Sequence, residues 1–283
     1  MICSVESTSR ALVQMMSRQP SDEPVLINQS LLVAVLLCAF LMGCVPMWNA
    51  DIWTHLRTGQ LILERQSVPY VDWYSFTDTD RPWIEMHWVF QVAMAKLYAW
   101  GGVPLLVLIK AFFQMLTVAV CWRVAGKRLP VWAKSVLMLM LVVCLAGRSV
   151  VRPDMVTNLL LSLWLLILVQ SETKPKMIWL LPLLQVVWTN CHGLFVLGLV
   201  VFGTYCGDRI ARSLAKGHWW LEKPPLNPRL KWVLLAAAAT ILSCLANPYF
   251  ERGAMFPFVL FGKLTDDPSE EHMPPLEVFH MTG

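Results

Sequence analysis

Apolar residues in this chain come in blocks separated by short polar or basic segments. The blocks fall at 30–48, 103–125, 131–147, 155–170, 177–190, 194–210 and 230–247. Runs approaching about 20 apolar residues suit helices that cross a ~30 Å hydrocarbon layer. The pattern predicts an all-α, polytopic transmembrane protein of about seven spans. The stretch 88–100 is apolar too, but it carries Gln91 and Lys96 and stops at Gly101-Gly102. As a helix it covers about 20 Å, too little to cross, so it reads as an interfacial helix feeding the next span.

The long run 177–210 is interrupted by Asn190-Cys191-His192-Gly193. A single continuous span would export the segment 207–231, with Arg209, Arg212, Lys216, Lys223, Arg229 and Lys231. The positive-inside bias opposes that, so two short helices are expected. With the N-terminus in the cytoplasm, Arg123, Lys127, Arg128, Lys134, Lys174 and Lys176 also fall inside. The outer side then receives a long first loop, 49–102, and three tight turns at 148–154, at 190–193 and from Asn247-Pro248-Tyr249 onward. The helix 177–190 covers only about 21 Å, which puts its turn below the surface, on the floor of a cavity open to the outside.

The first 28 residues are polar and mixed in charge and lack the early apolar core of a secretory signal, so the first span is retained. The expected organisation is a cytoplasmic segment 1–29, a transmembrane domain 30–260, and a tail 261–283 that reads as an incomplete end. The setting expected is a bacterial inner membrane.

Composition agrees. The chain is 57% hydrophobic and 15% charged, against roughly 45–50% and about 25% in soluble domains. The net charge of +4 resides in short loops between spans, which marks topology and excludes nucleic acid as a partner. Six of the eight cysteines fall in apolar runs and no C-x-x-C occurs, which excludes a disulfide framework and a zinc knuckle.

The candidate chemistry collects on the outer side: Asp51, His55, Glu85, His87, Arg148, Arg152, Asp154, Asn190 and His192. Ionisable groups near membrane depth are expensive and therefore candidates for function. Asp51, directly after the first span, suits a general base toward a hydroxyl, a metal ligand, or the N-cap of a helix over 52–64. Asp51, His55, Glu85 and His87 are candidate ligands for a divalent metal. Arg148 and Arg152 stand one helical turn apart and suit bidentate phosphate binding, or snorkelling at a helix end. His192 could donate to a phosphate or glycosyl oxygen or be a bonded turn residue. Trp48, Trp53, Trp73, Trp83, Trp88 and Trp100 mark an interfacial aromatic belt, with sugar stacking as the second reading. The sequence has no Gly-rich phosphate loop, no G-x-S-x-G and no cytoplasmic nucleotide domain, so a donor used outside would be carried by lipid.

At Asp51-Ile52-Trp53-Thr54-His55-Leu56-Arg57-Thr58-Gly59 the chain resembles the bacterial GT-C class of membrane glycosyltransferases, whose wider relatives include protein mannosyltransferases and lipid A aminoarabinose transferases. The resemblance continues through Arg81-Pro82-Trp83, His87-Trp88, Arg152-Pro153, Asn190-Cys191-His192-Gly193 and Asn247-Pro248-Tyr249, covering roughly 45–260. It implies a long outer first loop with helices lying on the membrane, a reaction-centre acid at Asp51, and a polyprenyl-phosphate-linked sugar as donor. Glu85 becomes a second catalytic acid, and His55, His87, Arg148, Arg152, Asn190 and His192 become binders of substrate and phosphate. Such enzymes usually continue with further spans beyond the point where this chain ends. A transporter or flippase for a lipid-linked or anionic substrate, and a non-catalytic polytopic subunit, are the alternative functions.

The topology is testable by reporter fusions. A fusion within 211–229 should report the cytoplasm, and one near Asn247 should report the outside. An external signal from 211–229 would break the two-helix reading and scatter the proposed cluster to both sides.

Overall fold

The computed structural model describes residues 25–46, 50–77, 80–126, 129–147, 149–214 and 229–266. Among these residues the regular structure is helical, and the only strand-like pairing is an isolated antiparallel bridge between Val71 and Pro82. In chain order the helices are α1 (Val25–Gly43), α2 (Asp51–Arg65), α3 (Trp88–Val124), α4 (Val131–Ala146), α5 (Asp154–Ser171), α6 (Leu180–Cys191), α7 (Val196–Leu214), α8 (Leu230–Ser243) and α9 (Glu251–Asp266).

Among the described residues three helical segments are long and apolar enough to cross a membrane: Trp88–Val124, Asp154–Ser171 and Gly193–Leu214. Ile27–Gly43, Val131–Ala146 and Leu230–Ser243 are apolar but shorter. The first helix starts and ends earlier than the apolar block suggests, because Val25 to Ser30 are already helical.

Two breaks expected from polarity are present. The interfacial stretch and the span after it join into one 37-residue helix, but Gly102 breaks its regularity with φ 59 and ψ −155. Glycine adopts that positive φ without the Cβ clash other residues meet. The run 177–210 is indeed two helices: α6 ends at Cys191, and His192 is extended (φ −161, ψ 138) before a short 3-10 turn leads into α7.

The helices group into two compact units. One comprises α1, the second half of α3 and α4, around Val35, Ala39, Val118, Met138 and Val142. Within it Lys110 is only 2% exposed. Its Nζ donates to the carbonyls of Val45 (2.8 Å) and Ser149 (2.9 Å). Those carbonyls lie just past the ends of α1 and α4, where backbone acceptors lack helical partners. Gln114 Nε2 donates to the Ala39 carbonyl at 3.1 Å, and its Oε1 accepts from Ser149 Oγ at 3.1 Å.

The other unit holds α2, the first half of α3, and α5 to α9. Its core is built on Trp164, Trp188, Phe195, Phe202, Leu181 and Val233. The amphipathic helix α2 buries Ile52, Leu56, Thr58, Gly59 and Ile62. Gly59 meets the first turns of α3 so closely that a Cβ there would land on the Gln91 carbonyl. This contact fixes the height of α2 against the segment that carries Glu85, His87 and Gln91.

Gly59→Ala is therefore expected to lower stability by about 1–3 kcal/mol, since backbone rather than a flexible side chain must yield. Denaturant unfolding in detergent measures it, and an unchanged midpoint would show that α2 and α3 separate without penalty.

Candidate functional site

The site lies in the unit built on α2 and α5 to α9. Asp51 opens α2 as its first helical residue; the N-cap position belongs to Ala50, so the expected cap role of Asp51 is not what the structure uses. The Asp51 carboxylate instead pairs with the Arg152 guanidinium. The two side chains are 54% and 37% exposed, so the pair is accessible from solvent.

His55 follows one turn along α2, and Gln91 Nε2 lies 3.2 Å from its Nδ1. Its ring packs edge-on against Phe90, with centroids 5.5 Å apart, and lies 5.7 Å from the His87 ring. His87 in turn sits 5.3 Å from His192, so residues from α2, the start of α3 and the α6–α7 turn form a row of three imidazoles.

Glu85 serves the middle ring. Its Oε1 accepts from His87 Nδ1 at 3.0 Å and from the His87 backbone N–H at 3.3 Å, while Oε2 accepts from the Trp83 indole at 3.3 Å. With Nδ1 donating to the carboxylate, His87 keeps Nε2 as its second nitrogen. Glu85 is thus a buried carboxylate that holds the His87 ring and accepts from Trp83.

His192 is held from α5. Its Nδ1 lies 2.7 Å from Thr157 Oγ1, which also receives the Trp188 indole N–H at 3.0 Å. Its Nε2 lies 3.5 Å from the Asp154 carboxylate. Thr157 and Trp188 were not singled out from sequence. The available signal was positional: Thr157 lies three residues after Asp154, on the same helical face.

Asn190 is drawn into the scaffold. Its Oδ1 accepts from the Trp88 indole at 2.8 Å, and its Nδ2 donates to the carbonyls of Val186 (2.8 Å) and Ala246 (2.7 Å). It clamps α3, α6 and the turn after α8, beside a cavity of about 510 Å³ lined by Trp88, Asn190, Asn247, Pro248 and Phe250. Arg148 and Trp48 lie outside the described residues. Of the remaining tryptophans, Trp53, Trp83 and Trp100 are exposed, and Arg65 stacks on Trp73 at 4.3 Å.

Among the described residues no three His, Cys, Asp or Glu side chains converge as a metal-binding group. The donor set Asp51, His55, Glu85 and His87 does not fit a resident divalent ion: Asp51 turns to Arg152, and Glu85 turns to His87 and Trp83.

Burial shapes the protonation of the row. It pushes His55 down to about 4, with the neighbouring His87 adding to the effect. It pushes His192 down to about 3, again with His87 and His55 adding to it. Burial pushes the Glu85 carboxyl up, but the hydrogen bond and charge of His87, with hydrogen bonds from Trp83 and Gln91, together leave the group below its ordinary value.

No protein-family model, curated protein or solved structure matches this chain.

These shifts set a pH dependence. Between about pH 4 and pH 6.5 an unfolded His55 binds a proton that the folded one refuses, so stability rises with pH across that window. His192 acts in the same direction, and the depressed Glu85 loses its stabilising charge as pH falls through its folded value. Acidifying from pH 7 toward 4 should therefore lower the unfolding midpoint in detergent, and His55→Asn should flatten the slope. A midpoint that holds steady or rises on acidification would contradict the buried, neutral assignment.

Proposed function

We propose that this chain is a GT-C-type glycosyltransferase that moves a sugar from a polyprenyl phosphate to a hydroxyl acceptor on the extracytoplasmic face of a bacterial inner membrane. The reading takes the N-terminus as cytoplasmic, about seven spans, and 49–102 as the outer first loop. The observation that carries it is the junction of an accessible acid–guanidinium pair, Asp51 with Arg152, and an adjoining row of histidines backed by Glu85.

Asp51 accepts the proton of the acceptor hydroxyl as that oxygen attacks the anomeric carbon. The bond from that carbon to the phosphate oxygen breaks with inversion, and the bonding electrons leave on the lipid phosphate. Arg152 stabilises the leaving charge. In the resting protein it is engaged by Asp51, but an ion pair this exposed contributes only about 0–1 kcal/mol. A phosphate arriving with its own negative charge can share the guanidinium at little cost and turn the carboxylate toward the acceptor. His192 supplies a neutral hydrogen-bond donor. The membrane concentrates the lipid-borne donor, so orientation replaces much of the entropic barrier of a bimolecular encounter.

Asp51→Asn tests the assignment. It removes the base while keeping a side chain of the same shape, and turnover of a radiolabelled polyprenyl-phosphate sugar should fall by ~10²–10⁴-fold, about 2.7–5.5 kcal/mol in transition-state free energy. The folded fraction should change little, because the exposed ion pair adds little stability. Near-normal transfer by folded Asp51→Asn protein would remove Asp51 from the chemistry. Sugar-lipid movement across vesicles without transfer would favour a flippase.

A further inference from the structure

His192 stands at the extended residue between α6 and α7, and both of its ring nitrogens face named groups. On one side is Thr157. The Trp188 indole has an N–H and no acceptor, so its 3.0 Å contact with Thr157 Oγ1 is a donation to the hydroxyl. The hydroxyl keeps one proton and a remaining lone pair, and it lies 2.7 Å from His192 Nδ1.

Two arrangements are chemically open. If Nδ1 carried the proton, Thr157 would accept twice, and its own hydroxyl proton would need a further acceptor in a buried position. Elsewhere in the chain a helical threonine spends that proton on the carbonyl four residues back, as Thr58 does on Thr54 at 2.8 Å and Thr240 on Ala236 at 2.7 Å. The bonds of Thr157 run to Trp188 and His192 instead. If Nδ1 is bare, the Thr157 proton fills it and every donor in the chain has an acceptor, as buried polar groups require.

The other side of the ring agrees. Nε2 lies 3.5 Å from Asp154 Oδ1, where a bare lone pair would face a carboxylate and an N–H is attracted to it. The remaining titratable neighbours are His87 and His55, and burial holds His192 neutral near pH 7, so one tautomer or the other must be present.

We infer that Trp188 and Thr157 are positioning residues that lock His192 in its Nε2–H tautomer, so that the ring presents a hydrogen-bond donor, and not a base, on the side of Asp154. For catalysis the consequence rests on the transferase reading: His192 donates to a substrate oxygen and does not compete with Asp51 for the acceptor proton. The tautomer itself does not depend on that reading.

The experiment uses the full chain in lipid nanodiscs with ¹⁵N-labelled histidine and ¹³C-carbonyl-labelled cysteine. The Cys–His pair occurs once in the sequence, at Cys191-His192, so that ring is assigned through its own backbone. At neutral pH the proton–nitrogen correlations should place the proton on Nε2. Thr157→Val keeps the shape and removes the hydroxyl, and should convert the signal to a mixture of tautomers or to Nδ1–H. Thr157→Ser should restore the wild-type pattern, which a role in packing alone would not predict. An Nδ1–H signal in the wild-type protein, or an unchanged pattern in Thr157→Val, overturns the inference. Should Thr157→Val fail to fold, the wild-type spectrum still decides. None of these readouts needs sugar transfer, so a chain without activity would sink the proposed function and leave this result standing.

Discussion

A polar group carried into an apolar helical chain has little water to bond and must be satisfied by protein, and this constraint organises the molecule. Lys110 meets it by capping two backbone carbonyls beyond the ends of α1 and α4. Arg209, inside the long apolar α7, donates to the Tyr205 hydroxyl at 2.7 Å and pairs with Glu172. Asn190 spends its amide on a tryptophan and two carbonyls. Lys110 and Asn190 reach backbone carbonyls beyond helix ends, where unpaired acceptors exist, whereas Arg209 is met by side chains. The site follows from the same rule. Its buried Glu85 and half-buried His192 are positioned by hydrogen bonds that satisfying them required in any case.

Local polarity is what the sequence makes legible. The break at Asn190-Cys191-His192-Gly193 and the kink at Gly102 follow from residues a few positions apart, since a polar triplet or a glycine pair disrupts an apolar helix wherever the rest of the chain goes. Pairings across long separations were not legible. Asp51 and Arg152 are 101 residues apart, and only folding decides that the carboxylate answers a guanidinium and not its own helix terminus. The cap reading of Asp51 failed by one residue, because helix α2 begins at Asp51 itself. Thr157 was hidden for a different reason: a threonine in an apolar helix bonds its own backbone by default, and only its three-residue spacing from Asp154 marks the exception locally.

The three clustered histidines are chemically unequal, although sequence treats them alike. Of the three histidines, Glu85 hydrogen-bonds His87, through both the ring and the backbone. His55 faces an amide and a phenyl edge, and His192 faces a hydroxyl and a more distant carboxylate. Burial therefore keeps the two outer rings neutral. A row of imidazoles at 5.3 and 5.7 Å could not carry three positive charges without strong mutual repulsion.

The two acids of the site also differ in accessibility. Asp51 and Arg152 remain open to solvent. Glu85, at 10% exposure, is withdrawn to where it holds His87. A carboxylate must be accessible to accept a proton from an incoming alcohol, and it must be shielded to orient an imidazole against competing water. The chain places one acid, exposed, at the start of an amphipathic helix and the other, shielded, two residues before a histidine in a packed turn.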